Sequence, residues 1–184
     1  MNNKKSILLL ALVFVVPVIL AKLALELDWF NKGATNKGQL LDPVLDMSPL
    51  YPADSAPTIW RVVYIMPAQC EQRCQNALYS INQVWLALGR ENERVSPVII
   101  TTASSDQSAI QQLESMPNLT LFSTNQQSID RVFKDTATDG IFVVDTLQNI
   151  ILRYDLQQEQ QQAVMHSREI LADVKKLLKL SRIG

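Results

Sequence analysis

Cysteine and histidine are scarce in this 184-residue chain, which contains two Cys and one His. Two cysteines cannot make a disulfide-dense scaffold, and with a single histidine they cannot supply the four ligands of a Cys/His zinc site. A basic excess is also absent, because 17 Lys and Arg are set against 18 Asp and Glu. This balance argues against a nucleic-acid-binding protein. Because the chain has only two cysteines and one histidine, any chemistry of the thiols must be done by the two cysteines as a pair.

Apolar residues, by contrast, make up 47% of the chain, which is too apolar to be disordered. Part of this content is concentrated near the N-terminus, where residues 7–21 carry no charge and apolar residues continue to Leu27. As a helix, residues 7–27 would be about 31 Å long, enough to cross the ~30 Å hydrocarbon core of a bilayer. Trp29 would then lie at the interface. We expect residues 1–28 to be one N-terminal transmembrane anchor.

The charges beside this segment predict its orientation. Lys4 and Lys5 should hold the N-terminus in the cytoplasm, so that residues beyond Trp29 are exported. A cleaved export signal is the alternative, but residues 21–24 (Ala-Lys-Leu-Ala) make a poor cleavage site, which favours an uncleaved anchor. We therefore expect a single-pass protein of the inner membrane with its C-terminal domain in the periplasm, a compartment in which disulfides persist.

The remaining residues predict a lead-in followed by one domain. Residues 29–57 contain scattered Gly and Pro without periodicity, which predicts an extended linker or a lead-in that wraps the domain. Residues 58–184 predict a single α/β domain with parallel pairing and a late antiparallel hairpin. The apolar patterns predict strands at 60–66, 95–101, 119–122, 141–144 and 150–154, and helices at 71–88, 106–116, 125–133 and around 164–178.

Cys70 and Cys74 follow the first strong strand and begin the next helix, where open α/β sheets usually have their sites. A thiol at a helix N-terminus is shifted towards thiolate, which attacks disulfides and binds soft metals such as Cu(I), and Arg73 would add to that shift. Within one helix, Cβ atoms four residues apart are about 5–6 Å from each other, whereas a disulfide needs about 3.8 Å. A bridge therefore requires Cys70 to lie ahead of the helix.

These positions make Cys70 and Cys74 the candidate catalytic and metal-binding residues. The alternative is a fixed structural disulfide, which would stabilise little because it closes a loop of only a few residues.

Five other side chains have simpler interpretations. His166, the only histidine, is expected to be solvated or to cap a helix. Met66 could offer a thioether to Cu(I), although packing in a buried strand explains it equally well. Turn chemistry accounts for Asp139 and Asp145. Trp85 is expected to be a core anchor.

The order of elements and the C-x-x-x-C motif of Cys70 and Cys74 resemble the Sco copper chaperones, which assist cytochrome c oxidase assembly. Residues 29–41 also resemble the start of small anchored proteins linked to oxidase assembly in proteobacteria. The resemblance implies a thioredoxin-like mixed sheet flanked by helices. In the Sco family a His before the hairpin strand completes the copper site, but residues 136–140 contain none. Only Cys70 and Cys74 therefore carry over.

The predicted function is that of an anchored, exported thiol protein that assists cytochrome c oxidase assembly, by handling Cu(I) or by thiol reduction through Cys70 and Cys74. Its expected partners are the membrane and an oxidase subunit or another assembly factor, with copper as the possible cofactor and no nucleic acid. Two alternatives stay open: a general membrane-anchored thiol-disulfide oxidoreductase, and a degenerate thioredoxin-like binding scaffold without catalysis.

Overall fold

The computed structural model describes residues 3–26, 36–51, 57–113, 116–134 and 136–181. The expectation for Trp29 lies outside these residues, as do residues 29–35 and 52–56 of the predicted lead-in. The chain divides into two compact units, Met1–Thr35 and Asn36–Gly184, and each is described by itself.

The first unit contains helix α1, Asn3–Glu26, with Pro17 inside it. Its described apolar side chains other than Ala24 are exposed, as at Leu9 and Phe14. Crossing a membrane would need a longer or more apolar helix than any in the described part of the chain. The transmembrane role of residues 1–28 stays a prediction.

The second unit is built on one mixed sheet, as the sequence predicts. In the described residues it has six strands, β1 Gln39–Asp46, β2 Trp60–Ile65, β3 Val95–Thr101, β4 Thr120–Ser123, β5 Gly140–Val144 and β6 Asn149–Asp155. Their order in the sheet is β1-β6-β5-β2-β3-β4. Strands β2, β3 and β4 are parallel, whereas β5 pairs antiparallel with β2, β6 with β5, and β1 with β6. The helices are α2 Gln72–Ala87, α3 Gln107–Leu113, α4 Gln126–Phe133 and α5 Gln160–Leu180, with short 3-10 turns at Ser48–Leu50 and Gly89–Arg94.

Helices cover both faces of this sheet, which explains why its central strands are apolar without alternation. On one face, Val62 and Tyr64 of β2 pack in a core formed with α2, α3 and α5. On the other face, Val63 packs in a second core with α4 and the 3-10 turn after β1. The end of β2 is therefore held between two layers, and the loop that carries Cys70 leaves the sheet there.

Strand β1 was not predicted, because residues 39–46 fall inside the segment interpreted as a linker or lead-in. The pattern is interrupted by Pro43, and the register of β1 on β6 is irregular between Leu40 and Leu45. A proline is tolerated there because β1 is an edge strand and its free side needs no N–H donor. The lead-in is thus part of the sheet for these eight residues.

A buried carboxylate fastens the start of this unit to its last helix. Asp173 of α5, only 2% exposed, accepts hydrogen bonds from the backbone N–H groups of Lys37 (2.7 Å) and Gly38 (2.9 Å) and from the Tyr154 hydroxyl (2.8 Å). Burial, together with this bond, raises the pKa of Tyr154. A Cβ atom on Gly38 would lie 2.5 Å from the Tyr154 ring, so only glycine permits this approach.

Replacing Asp173 with Ala should lower the free energy of unfolding by about 2–4 kcal/mol, because three donors lose their acceptor inside the protein. Asp155→Ala is the matched control, since the Asp155 carboxylate is exposed and its loss should cost less than about 1 kcal/mol. Urea unfolding of the full chain in mild detergent, followed by near-ultraviolet circular dichroism, measures both. Equal losses in the two variants would contradict the role given to Asp173.

Candidate functional site

Cys70 and Cys74 are joined by a disulfide bond with a Cα–Cα distance of 5.1 Å, and no free cysteine is left. Cys70 lies in the loop between β2 and α2, and Cys74 is in the first turn of α2, which begins at Gln72. This is the arrangement that the sequence requires for a bridge at this spacing.

The two cysteines differ in their surroundings. Cys74 is 3% exposed and belongs to the core between the sheet and α2, whereas Cys70 is partly exposed and packs against that core from outside. An incoming thiol therefore reaches Cys70 more easily than Cys74. A leaving thiolate at Cys74 would lie in the first turn of α2, where the helix dipole favours negative charge.

A groove lies beside each cysteine. The α3-side groove, of about 400 Å³, is lined by Cys70, Tyr79, Asp106, Leu113 and Met116, among others. The Met66-side groove, of about 450 Å³, is lined by Met66, Arg73, Cys74, Thr138 and Asp139, among others. The bridge thus has an approach from either side.

Hydrogen bonds from the loop after β3 hold the Cys70 loop in place. The Cys70 N–H donates to Asp106 Oδ2 at 2.9 Å, and the Asp106 N–H donates to the Pro67 carbonyl at 2.9 Å. The Ser105 hydroxyl donates to the Met66 carbonyl at 2.9 Å. The backbone on the strand side of the bridge is therefore tied to a neighbouring loop at three points.

Asp106 also caps α3. Its Oδ1 accepts hydrogen bonds from the backbone N–H groups of Ser108 (3.0 Å) and Ala109 (3.2 Å). The Ser108 hydroxyl also donates a hydrogen bond to Asp106 Oδ1. This bond, followed by those from the N–H groups of Cys70 and Ala109, lowers the pKa of Asp106 from 3.8 to about 2. The bond to Cys70 spans 36 positions of sequence, so no local pattern signals it.

Charged groups on the other side of the bridge are partly neutralised by one another. Arg73 Nη2 is 3.7 Å from Asp139 Oδ2, and Asp139 Oδ1 also pairs with Arg153 at 3.1 Å. Asp139 is more than a turn residue, because it links α2 to β6. The negative charge of Asp139 therefore offsets part of the stabilisation that Arg73 was expected to give a cysteine thiolate. Burial raises the pKa of Tyr64, with Arg73 opposing the shift.

The remaining candidates have local partners. Asp145 accepts from the Leu147 and Asn149 N–H groups, which is the turn role expected of it. His166 Nδ1 lies 3.0 Å from Glu169 Oε2, and its ring packs edge-on against Tyr154. Trp85, expected in the core, is only half-buried, and its indole N–H donates to the Val95 carbonyl.

The structure brings Met66 into contact with Cys74. Its Sδ lies 3.6 Å from Cys74 Sγ, and both side chains are buried. Within the described residues, no three His, Cys, Asp or Glu side chains converge on a point that could hold a metal ion.

Comparison with known proteins supports the fold. Residues 60–181 match the family model described as "Transmembrane-like, thioredoxin-like, C-terminal domain", which confirms the thioredoxin-like prediction. No curated protein matches the chain.

Similar solved structures include two of the class that the sequence resembles. They are copper-bound ScoI of Bradyrhizobium japonicum (16% identity, 68% of this chain and 94% of that chain, TM-score 0.44) and copper-bound ScoI of Arabidopsis thaliana (14%, 62% and 85%, 0.42). A putative thiol:disulfide interchange protein DsbE from Chlorobium tepidum is also similar (13%, 74% and 94%, 0.49).

The low pKa of Asp106 gives a pH test. An Asp whose pKa is lower in the folded state than in the unfolded chain stabilises the fold fully above the unfolded value, and this contribution is lost as the pH falls through the folded value. The wild type should therefore lose stability between about pH 4 and pH 2. Asp106→Asn should lose less over this range.

Ser108→Ala serves as the graded control, since it removes the largest cause of the shift but keeps the carboxylate. Urea unfolding at stepped pH values measures the free energy of unfolding of the wild type, Asp106→Asn and Ser108→Ala. An Asp106→Asn profile parallel to that of the wild type would show that Asp106 does not contribute in this way.

Proposed function

The chain belongs to the transmembrane-like, thioredoxin-like C-terminal domain family, and from this premise we propose that it is an exported, membrane-anchored dithiol protein that assists cytochrome c oxidase assembly. The observation that carries the proposal is the Cys70–Cys74 bridge, with one partly exposed and one buried cysteine at the start of α2. A purely structural bridge across so short a loop would add little stability. The pair is better explained as one that opens and closes.

The proposed reaction is reduction of a disulfide in a partner protein. The Cys70 thiolate attacks one partner sulfur, and the other partner sulfur leaves as a thiolate. Cys74 then attacks Cys70 Sγ, which releases the second partner thiol and leaves the bridge closed as observed. The partner gains two electrons and two protons, and a further dithiol must return two electrons and two protons to the pair.

The order of these steps follows from exposure. Cys70 borders the α3-side groove, so a partner segment can reach it, whereas Cys74 is nearly enclosed. The buried thiol is suited to the second, intramolecular attack because it needs no access from solvent. An oxidase subunit or another assembly factor is the proposed partner.

Copper handling by the same pair is the second candidate function, favoured by the thioether 3.6 Å from Cys74. Reduced cysteines are soft ligands that select Cu(I). Copper would be cargo in this role, passed on with the partner protein.

The proposed location is the inner membrane, with the domain in the periplasm. Support comes from the uncharged run of residues 7–21 and from Lys4 and Lys5 before it. The exposed apolar side chains of α1 give this helix a surface suited to lipid.

Cys74→Ser should accumulate a mixed disulfide between Cys70 and its partner, because the second attack is lost. Cys70→Ser is the matched control and should trap little, since Cys74 is buried. Membranes from cells that express each full-length variant are treated with an alkylating agent, and the adducts are separated without reductant and identified by mass spectrometry. The expected adduct contains an oxidase subunit or assembly factor.

Three other results would each contradict part of the thiol-reduction proposal. Adducts spread over many unrelated exported proteins would indicate the general oxidoreductase. Equal trapping by both variants would contradict the assigned order of attack. Absence of adducts from both variants would favour the alternative of a binding scaffold without catalysis.

The membrane location can be tested with a C-terminal alkaline phosphatase fusion and carbonate extraction. We expect an active phosphatase in the membrane pellet. Val13→Arg should shift the protein out of the pellet, because an arginine at the centre of a spanning helix costs about 2.5–3.5 kcal/mol. Val13→Leu is the matched control and should stay with the membrane. Retention of the arginine variant would argue against a spanning helix.

A further inference from the structure

Three sulfur atoms meet where β2 ends and α2 begins. Two belong to the Cys70–Cys74 bridge, and the third is Met66 Sδ, 3.6 Å from Cys74 Sγ. This contact is not a hydrogen bond, because a bridged Cys74 carries no S–H proton. It is a thioether in van der Waals contact with the buried sulfur of the pair.

From this contact we propose that Met66 is the third ligand of a Cu(I) ion bound by reduced Cys70 and Cys74, in a site of two thiolates and one thioether. The inference rests on the proposed function, since it concerns the copper-handling role of the same pair. This set of ligands requires no His, Asp or Glu. All three donors are soft, which selects Cu(I).

The distances suit a three-sulfur site. Three sulfurs that each lie about 2.3 Å from a central metal stand about 4 Å from one another. Met66 Sδ and Cys74 Sγ, at 3.6 Å, are already close to that separation. Once the bridge is opened, Cys70 Sγ can move away from Cys74 Sγ to a similar separation of about 4 Å. This movement is possible because Cys70 is in a loop and not in the helix.

Met66 is held in position before any metal arrives. Its N–H donates to the Ile100 carbonyl at 2.9 Å, and its carbonyl accepts from the Ser105 hydroxyl at 2.9 Å. The side chain is 3% exposed, like that of Cys74. A ligand already fixed and shielded from water loses little freedom when it binds, which is the condition for a preorganised site.

The Met66-side groove provides the route of entry, because Met66 and Cys74 both line it. Copper loading takes two steps. A dithiol reductant opens the bridge with two electrons and two protons, and Cu(I) then displaces both protons from the thiols. The product carries one net negative charge, which the N-terminal end of α2 stabilises.

Packing alone would also explain a buried methionine. The test must therefore distinguish the effect of the thioether sulfur from the effect of side-chain volume. Met66→Leu keeps a similar volume and removes the thioether. Met47→Leu is the matched control, because Met47 is equally buried but packs in the core on the opposite face of the sheet. Cys74→Ser removes a proposed thiolate ligand.

The experiment uses the full chain in detergent, reduced and without oxygen, and titrated with Cu(I) against a colorimetric Cu(I) chelator. The wild type and Met47→Leu should bind one Cu(I) with equal affinity. Met66→Leu should bind at least about tenfold more weakly, and Cys74→Ser weaker still. Copper-edge X-ray absorption should count three sulfurs in the wild type and two in Met66→Leu.

A second measurement does not depend on any variant folding. In protein labelled with selenomethionine, the copper spectrum should contain one selenium neighbour. Copper bound with full affinity in Met66→Leu, or no selenium beside copper, would overturn the role of Met66 while leaving copper handling in place. Failure of the wild type to bind Cu(I) would instead reject the copper-handling function, and the inference with it.

Discussion

The site depends on one geometric constraint: a bridge between residues four apart requires the first of them to lie outside the helix. Asp106 meets this requirement, because its carboxylate holds the Cys70 N–H in the loop ahead of α2. The same loop is bonded to Ser105 and to the backbone of Asp106. The parallel pairing of β2 and β3 brings the two loops together, since both leave the sheet at the same edge. The position of the cysteines is thus a product of the sheet.

The sheet also explains the unequal surroundings of the two sulfurs. Residues of β2 are buried on both faces, so the strand delivers Met66 into the interior before the chain turns outward to Cys70. The chain then returns inward with α2, whose buried face carries Cys74. One cysteine is consequently partly exposed, and the other lies against a thioether. The proposed thiol exchange and the proposed Cu(I) binding would use the same short stretch of chain.

Much of this architecture could be predicted from periodicity. The strands β2, β3, β5 and β6 and the helix after the cysteines were expected within a residue or two, because long apolar runs and helical spacing are local signals. Strand β1 was missed because Pro43 breaks its pattern and its pairing partner, β6, is over a hundred residues away. The bond from Cys70 to Asp106 and the bridging role of Asp139 were missed for a related reason. Each joins segments far apart in sequence, and only the completed sheet brings them together.

Asp106 divides its two oxygens between two elements, which makes it a mechanical coupling. One oxygen holds the Cys70 amide, and the other caps the first turn of α3. A displacement of the Cys70 loop would therefore either break one of these bonds or move the first turn of α3 with it. Because residues of α3 line the α3-side groove, the loop and one wall of that groove are linked mechanically through a single carboxylate.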